Sequence, residues 1–111
     1  MNIQIIGTKK SNNTKKAIRF FKERNINFHF MDLSERKISE GELSNILNRI
    51  EANDLIDIES SSYKKRGFAY MEYDPVEEIL EDNDLMRIPV VRNGKEVSVG
   101  NAIEVWKKWI E

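Results

Sequence analysis

The run RIPVVRNGKEVSVG, residues 87–100, narrows the possible folds most sharply. Val90 and Val91 precede Asn93-Gly94, and Val97 and Val99 follow it. β-Branched residues on both sides of the commonest two-residue turn pair predict an antiparallel hairpin joined by Asn93-Gly94. Two further segments have strand character. Ile3, Ile5 and Ile6, stopping at Gly7, predict a short buried strand. INFHFMDL alternates Ile26, Phe28 and Phe30 on one face with Asn27, His29 and Met31 on the other, the two-residue period of a strand.

Between and after these strands the signals are helical. Ser11 is placed to cap a helix carrying Ala17, Ile18, Phe20 and Phe21 and ending near Asn25. Asp32 and Ser34 open a loop, and Ser39 to Glu42 has capping-box spacing ahead of Leu43, Ile46, Leu47 and Ile50. A helix is expected over 57–66, closed by Gly67 in the left-handed conformation, and Asp74-Pro75 begins another with Val76, Ile79 and Leu80. Asn101 is expected to cap the last helix, whose Ile103, Trp106, Trp109 and Ile110 share a stripe. The order is βαβ, helices, ββα. A right-handed βαβ unit gives a parallel pair and the hairpin an antiparallel one. The expectation is an α/β chain with a four-stranded mixed sheet in a three-layer, thioredoxin-like fold. Its helical insertion separates the βαβ and ββα halves of one domain, residues 1–111.

The 111 residues are 40% hydrophobic and 33% charged, with a net charge of −1. Such a chain can bury a core, and it has no global basic field for nucleic acid or an anionic membrane. No apolar run approaches the roughly 18 residues that cross a bilayer, and the opening is not that of a signal peptide, so a cytoplasmic location is expected. There is no cysteine, which removes disulfides, thiolate nucleophiles and cysteine-ligated metals together. Neither G-x-x-x-x-G-K-[ST] nor G-x-G-x-x-G occurs, so no nucleotide cradle is expected. Glu77, Glu78, Glu81, Asp82 and Asp84 lack the glycine and ligand spacing of a calcium loop and read as a solvated acidic face. No metal and no cofactor is expected.

A strand ending in Gly7-Thr8, the helix start KKAIRFFKERNI, the strand end FHFMDL, the segment LIDIESSSYKKRG and the late IPVV...G...VG together resemble the arsenate reductase (ArsC)/Spx family. The resemblance spans almost the whole chain, and IPVVRNG is also similar to glutaredoxins. The family places a cysteine after the first strand, where Ser11 stands here. A helix N-terminus lowers a thiol pKa, but a serine hydroxyl is too weak an acid to profit. Arsenate-reducing members hold the oxyanion with three arginines. Aligned on Tyr63, the first falls near Asp57; aligned on Pro89, the second is Ile88, with Arg87 one residue displaced; the third falls near Val99. An aspartate repels an oxyanion, so arsenate reduction is expected to be lost. The resemblance further implies a cis Ile88-Pro89 bond facing the first helix, and a vestigial cleft of Thr8, Ser11, Asn12, Asn13, Thr14, Arg87, Ile88 and Pro89.

A serine nucleophile needs a base and an orienting acid. The single histidine, His29, is expected on the second strand among apolar neighbours, so Ser11 reads as a cap and no catalytic residue is expected. Trp106 and Trp109, with Phe20 and Phe21, read as core. Lys9, Lys10, Lys15 and Lys16 flank the first helix start, where free N–H groups favour a small anion. By family resemblance the expected role is protein binding, with the RNA polymerase alpha subunit as partner. The alternative is a module that binds glutathione or another small anion without its own thiol.

Overall fold

The computed structural model describes residues 1–111. The elements run β1 (Ile3–Gly7), α1 (Asn12–Glu23), β2 (Phe28–Asp32), α2 (Glu40–Leu47), α3 (Ala52–Leu55), α4 (Ser61–Lys65), α5 (Pro75–Glu81), β3 (Val90–Asn93), β4 (Glu96–Val99) and α6 (Ile103–Trp109). Single 3₁₀ turns follow α4 and α5, at Phe68–Tyr70 and Asn83–Leu85. The backbone divides into two compact units: Met1–Arg36 with Ile88–Glu111, and Lys37–Arg87. The second is the helical insertion.

In the first unit the strand order is β2-β1-β3-β4. β1 pairs parallel with β2, Ile3 opposite Phe28 and Gly7 opposite Asp32, because α1 returns the chain to the same end of the sheet. It pairs antiparallel with β3, Ile6 opposite Val90, and β3 with β4, Val90 opposite Val99. The chain has the expected α/β, thioredoxin-like fold.

Strand alternation sends Ile3, Ile5 and Val91 to one face, where they pack with Ala17, Phe20 and Phe21 of α1 and Trp106 of α6. Phe20, Phe21 and Trp106 have ring centroids 5.0 to 5.8 Å apart, edge-on or tilted, the arrangement their quadrupoles favour. The Trp106 indole is fully buried, and its Nε1–H donates to Ser98 Oγ at 2.8 Å; burial without that acceptor would leave a costly unpaired donor. Ile103, Trp109 and Ile110 border this core, half-buried, so the stripe read from the last helix is the face it packs with.

α1 lies so close to the carboxyl end of β1 that residue 7 has no room for a side chain. A Cβ there would overlap the Thr14 hydroxyl and come within 2.9 Å of Thr14 Cγ2. Thr14 is completely buried, and its Oγ1 has no hydrogen-bond partner. The α1 C-terminus closes with Asn25 at φ +57 and a bond from Ile26 N–H to Phe21 O of 3.0 Å, a left-handed end that asparagine tolerates.

The second unit buries Ile38, Leu43, Ile46, Leu55, Ile56, Phe68, Ile79, Leu85 and Met86. Ser39 and Glu42 form the expected capping box of α2, and Asp74 caps α5 with Pro75 at its first turn. A single antiparallel bridge, Ile56 to Met86, ties the middle of the segment to its end through Asp57 N–H to Leu85 O and Arg87 N–H to Leu55 O, both 2.7 Å. Asn83 adds a cross-tie, accepting from the Ile38 N–H at 2.8 Å and donating to Ile79 O at 2.7 Å. Arg66 stacks over Phe68 at 4.4 Å and pairs with Glu78 at 2.8 Å.

Three local expectations are corrected. The hairpin turn is Gly94-Lys95, since Asn93 pairs with Glu96; Gly94 at φ +59, with no positive φ at Lys95, has the glycine-first character of a type II′ turn. The helix expected over 57–66 is only α4, Ser61–Lys65, capped by Ser60. Asp57 instead turns the chain, its carbonyl accepting from Ser60 N–H and Oγ–H and its Oδ1 from Glu59 N–H, while the strand-like bridge at Ile56 holds the preceding backbone extended. Asn101 does not cap α6; Ala102 occupies that position without a side-chain bond. Gly67, by contrast, sits at φ +68 as expected.

The Gly7 contact yields a direct test. Gly7→Ala should destabilise the chain by about 1–3 kcal/mol in urea unfolding, the usual cost of overpacking, and Gly7→Ala combined with Thr14→Ala should recover most of that loss. Equal instability of the single and double variants would contradict this packing.

Candidate functional site

The turn from β1 into α1 is built by capping. Ser11 is extended, φ −80 and ψ 124, and its Oγ accepts from the Thr14 N–H at 3.2 Å. Its own N–H donates to Thr8 O at 3.2 Å, and its carbonyl accepts from Lys15 N–H at 3.0 Å. The Asn12 and Asn13 N–H groups keep no protein partner, and both residues are exposed. A twelve-residue helix concentrates partial positive charge at these N–H groups. Lys9, Lys10, Lys15 and Lys16 are exposed around them.

The sheet brings the late proline to the same place. Because Ile6 pairs with Val90, Pro89 leads into β3 at the same end of the sheet where β1 runs out into the Ser11 turn. The Ile88-Pro89 bond is cis, as the resemblance implies. Pro89 is buried, with its carbonyl accepting from Gly100 N–H at 2.9 Å, and Ile88 is half-buried. Thr8, Ser11, Asn12 and Asn13 follow β1 directly, and Ile88 and Pro89 precede β3 at that end of the sheet. Thr14 contributes only its N–H, its hydroxyl being turned inward against Gly7. Arg87 belongs to the second unit, where its Nη1 donates to Asp54 O at 3.1 Å.

Asp32 also stands at this end, opposite Gly7, with Leu33 N–H donating to Gly7 O at 2.9 Å. Its Oδ1 accepts from the Ser34 hydroxyl at 2.7 Å and the Ser34 N–H at 3.0 Å. These two bonds, with a smaller attraction to Lys9, hold its carboxyl below the ordinary value of 3.8. The sequence marks Asp32 only as a loop opener. Parallel pairing with β1 is what makes it part of the site, since parallel strands finish side by side and ligands gather at such carboxyl ends. Its negative charge offsets part of the lysine field.

Chemically the site offers backbone N–H donors at the helix start. Ser11 Oγ is engaged as a cap, and His29 pairs with Gln4, three residues or about 10 Å of strand from the Gly7 end. No group of three potential metal-ligating side chains occurs in the chain. No helix is long and apolar enough to cross a membrane.

The Asp32 bonds carry a pH signature. Its folded pKa lies below its unfolded one, so its stabilisation is present above about pH 4 and is lost as pH falls through the folded value. Asp32→Asn should therefore unfold at lower urea than the native chain at pH 7, with a narrower gap at about pH 3, below the unfolded value. A gap unchanged between the two pH values would contradict the assignment.

No protein-family model and no curated protein matches this chain. Several solved structures do match in shape. An ArsC family related protein from Bacteroides fragilis superposes with a TM-score of 0.84 at 18% identity, covering 97% of each chain. The arsenate reductase from Vibrio cholerae gives 0.83 at 16%, again over 97% of each. Glutaredoxin from Archaeoglobus fulgidus gives 0.50 at 15%, covering 98% of this chain and 85% of its own. At such identities the likeness is one of fold: this chain has the thioredoxin-like fold of arsenate reductase-related proteins, insertion included.

Proposed function

We propose that the chain is a cysteine-free member of the ArsC/Spx family that acts in the cytoplasm by binding a protein, without redox or arsenate reductase activity. The observation that carries this reading is the Ser11 cap: the family's reactive position holds a hydroxyl already bonded to the Thr14 N–H, in a chain without any cysteine. Asp57, at the place of an oxyanion-binding arginine, supports the loss of arsenate chemistry. By analogy with Spx-like relatives the partner is the RNA polymerase alpha subunit, contacted as protein and not through DNA. The net charge of −1 suits such a partner better than a polyanion. Tyr70 is 95% exposed beside Met71 at 51%, and both residue types are enriched where proteins dock.

Titrating the full chain into purified alpha subunit and following it by calorimetry tests this. Saturable binding with a dissociation constant of about 1–10 µM is expected, weakened roughly tenfold by Tyr70→Ala. Absence of binding at about 100 µM would overturn the polymerase reading.

A second reading, glutathione or small-anion binding, is favoured by the open Asn12 and Asn13 N–H groups among lysines. The same calorimetry with glutathione separates the two, since heat lost on Ser11→Ala or on replacing Pro89 would support the second.

A further inference from the structure

The other end of β1 carries a feature that the Ser11 turn does not explain. On the sheet face opposite the Trp106 core, Ile6, Met31 and Val90 are buried, but the row before them is polar. His29, Gln4 and Arg92 stand side by side across β2, β1 and β3, since Gln4 pairs with His29 on one side and with Arg92 on the other. Asn2 lies just before β1, two residues from Gln4. β1 and β3 are the two central strands, where polar side chains need a reason. Together with Gly94 these residues line a hollow of about 270 Å³.

The donors in this hollow are under-used. Arg92 Nε is enclosed and has no hydrogen-bond partner. Its Nη1 reaches Gln4 Oε1 only at 3.4 Å, and the guanidinium has no carboxylate in ion-pair range. The Gln4 amide donates to Met31 Sδ at 4.0 Å, a weak acceptor at long range. A half-buried guanidinium without an anion is costly to maintain, and its planar fork matches an oxyanion bidentately. We propose that this hollow binds a small molecule bearing a carboxylate or phosphate, with Arg92 as the anchoring charge and His29, Gln4 and Asn2 as flanking hydrogen-bonding groups. The volume suits a small metabolite and is below that of a drug-sized pocket. The site is independent of the protein-binding role, and it lies at the opposite end of β1 from Thr8–Ser11.

Titrating the ¹⁵N-labelled full chain with inorganic phosphate, and separately with succinate, distinguishes the anion classes by amide chemical shifts. Saturable shifts at Gln4, His29, Arg92 and Gly94 are expected for at least one of them, with a dissociation constant of about 1 mM or below. Phosphate alone or succinate alone would assign the class, and both would assign the shared oxyanion. Arg92→Gln should weaken binding at least about tenfold, and Arg92→Lys should restore little, because an ammonium lacks the fork. Should Arg92→Gln lose its fold by circular dichroism, His29→Ala at an exposed edge-strand position provides the second variant, with binding weakened about threefold. No saturable shift by about 20 mM would overturn the proposal. So would shifts confined to residues 8–15, or native affinity in the folded variants.

Discussion

The close approach of α1 to the carboxyl end of β1 is the constraint from which the first unit follows. Gly7 is bare because Thr14 occupies the space a side chain would need, and that contact fixes where the helix starts. With the start fixed, Ser11 caps it, and Phe20 and Phe21 fall where Trp106 can meet them. β1 is also the only strand paired on both sides with different polarity, parallel to β2 and antiparallel to β3. A shift of one residue in β1 would exchange Ile3 and Ile5 for Gln4 in the core. The fold therefore hangs on a five-residue strand and the glycine that ends it.

This dependence explains what could be read from the residues. Caps and turns are local, so Ser11, the Ser39–Glu42 box, Asp74-Pro75 and Gly67 are legible from a few neighbouring residues, and the structure places them as expected. The amphipathic stripe of α6 is legible for the same reason, although its cap is not Asn101. The hairpin is legible as a hairpin, but its turn lies one residue further along, because its register is decided by pairing with β1 and by the conformation Gly94 adopts. In 48–66 the signals are weak. Helices of four and five residues have little periodicity, and the Ile56 to Met86 bridge joins residues thirty positions apart.

The site divides along the same line. Ser11 and its neighbours are contiguous and visible, and Pro89 stands out through the resemblance of IPVV to its family. Asp32 and the row of Gln4, His29 and Arg92 become neighbours only through strand pairing, which no local pattern reveals. One sheet thus carries two different chemistries at its two ends: a capped helix start among lysines at the carboxyl end of β1, and a guanidinium without an anion near its amino end. At the first, the helix start keeps open N–H groups at Asn12 and Asn13, with Ser11 engaged as the cap.

The most direct measurement of this account is to return a thiol to the turn. In Ser11→Cys, the pH dependence of alkylation by iodoacetamide reports the thiol pKa in a chain with no other cysteine. Open N–H groups at Asn12 and Asn13 and the surrounding lysines predict a value of about 7.5 or lower, against about 8.5 for a free cysteine. A value at or above about 8.5 would mean that the turn does not present the field its geometry implies, and would contradict the reading of Ser11 as the sulfur-free remnant of a thiolate site.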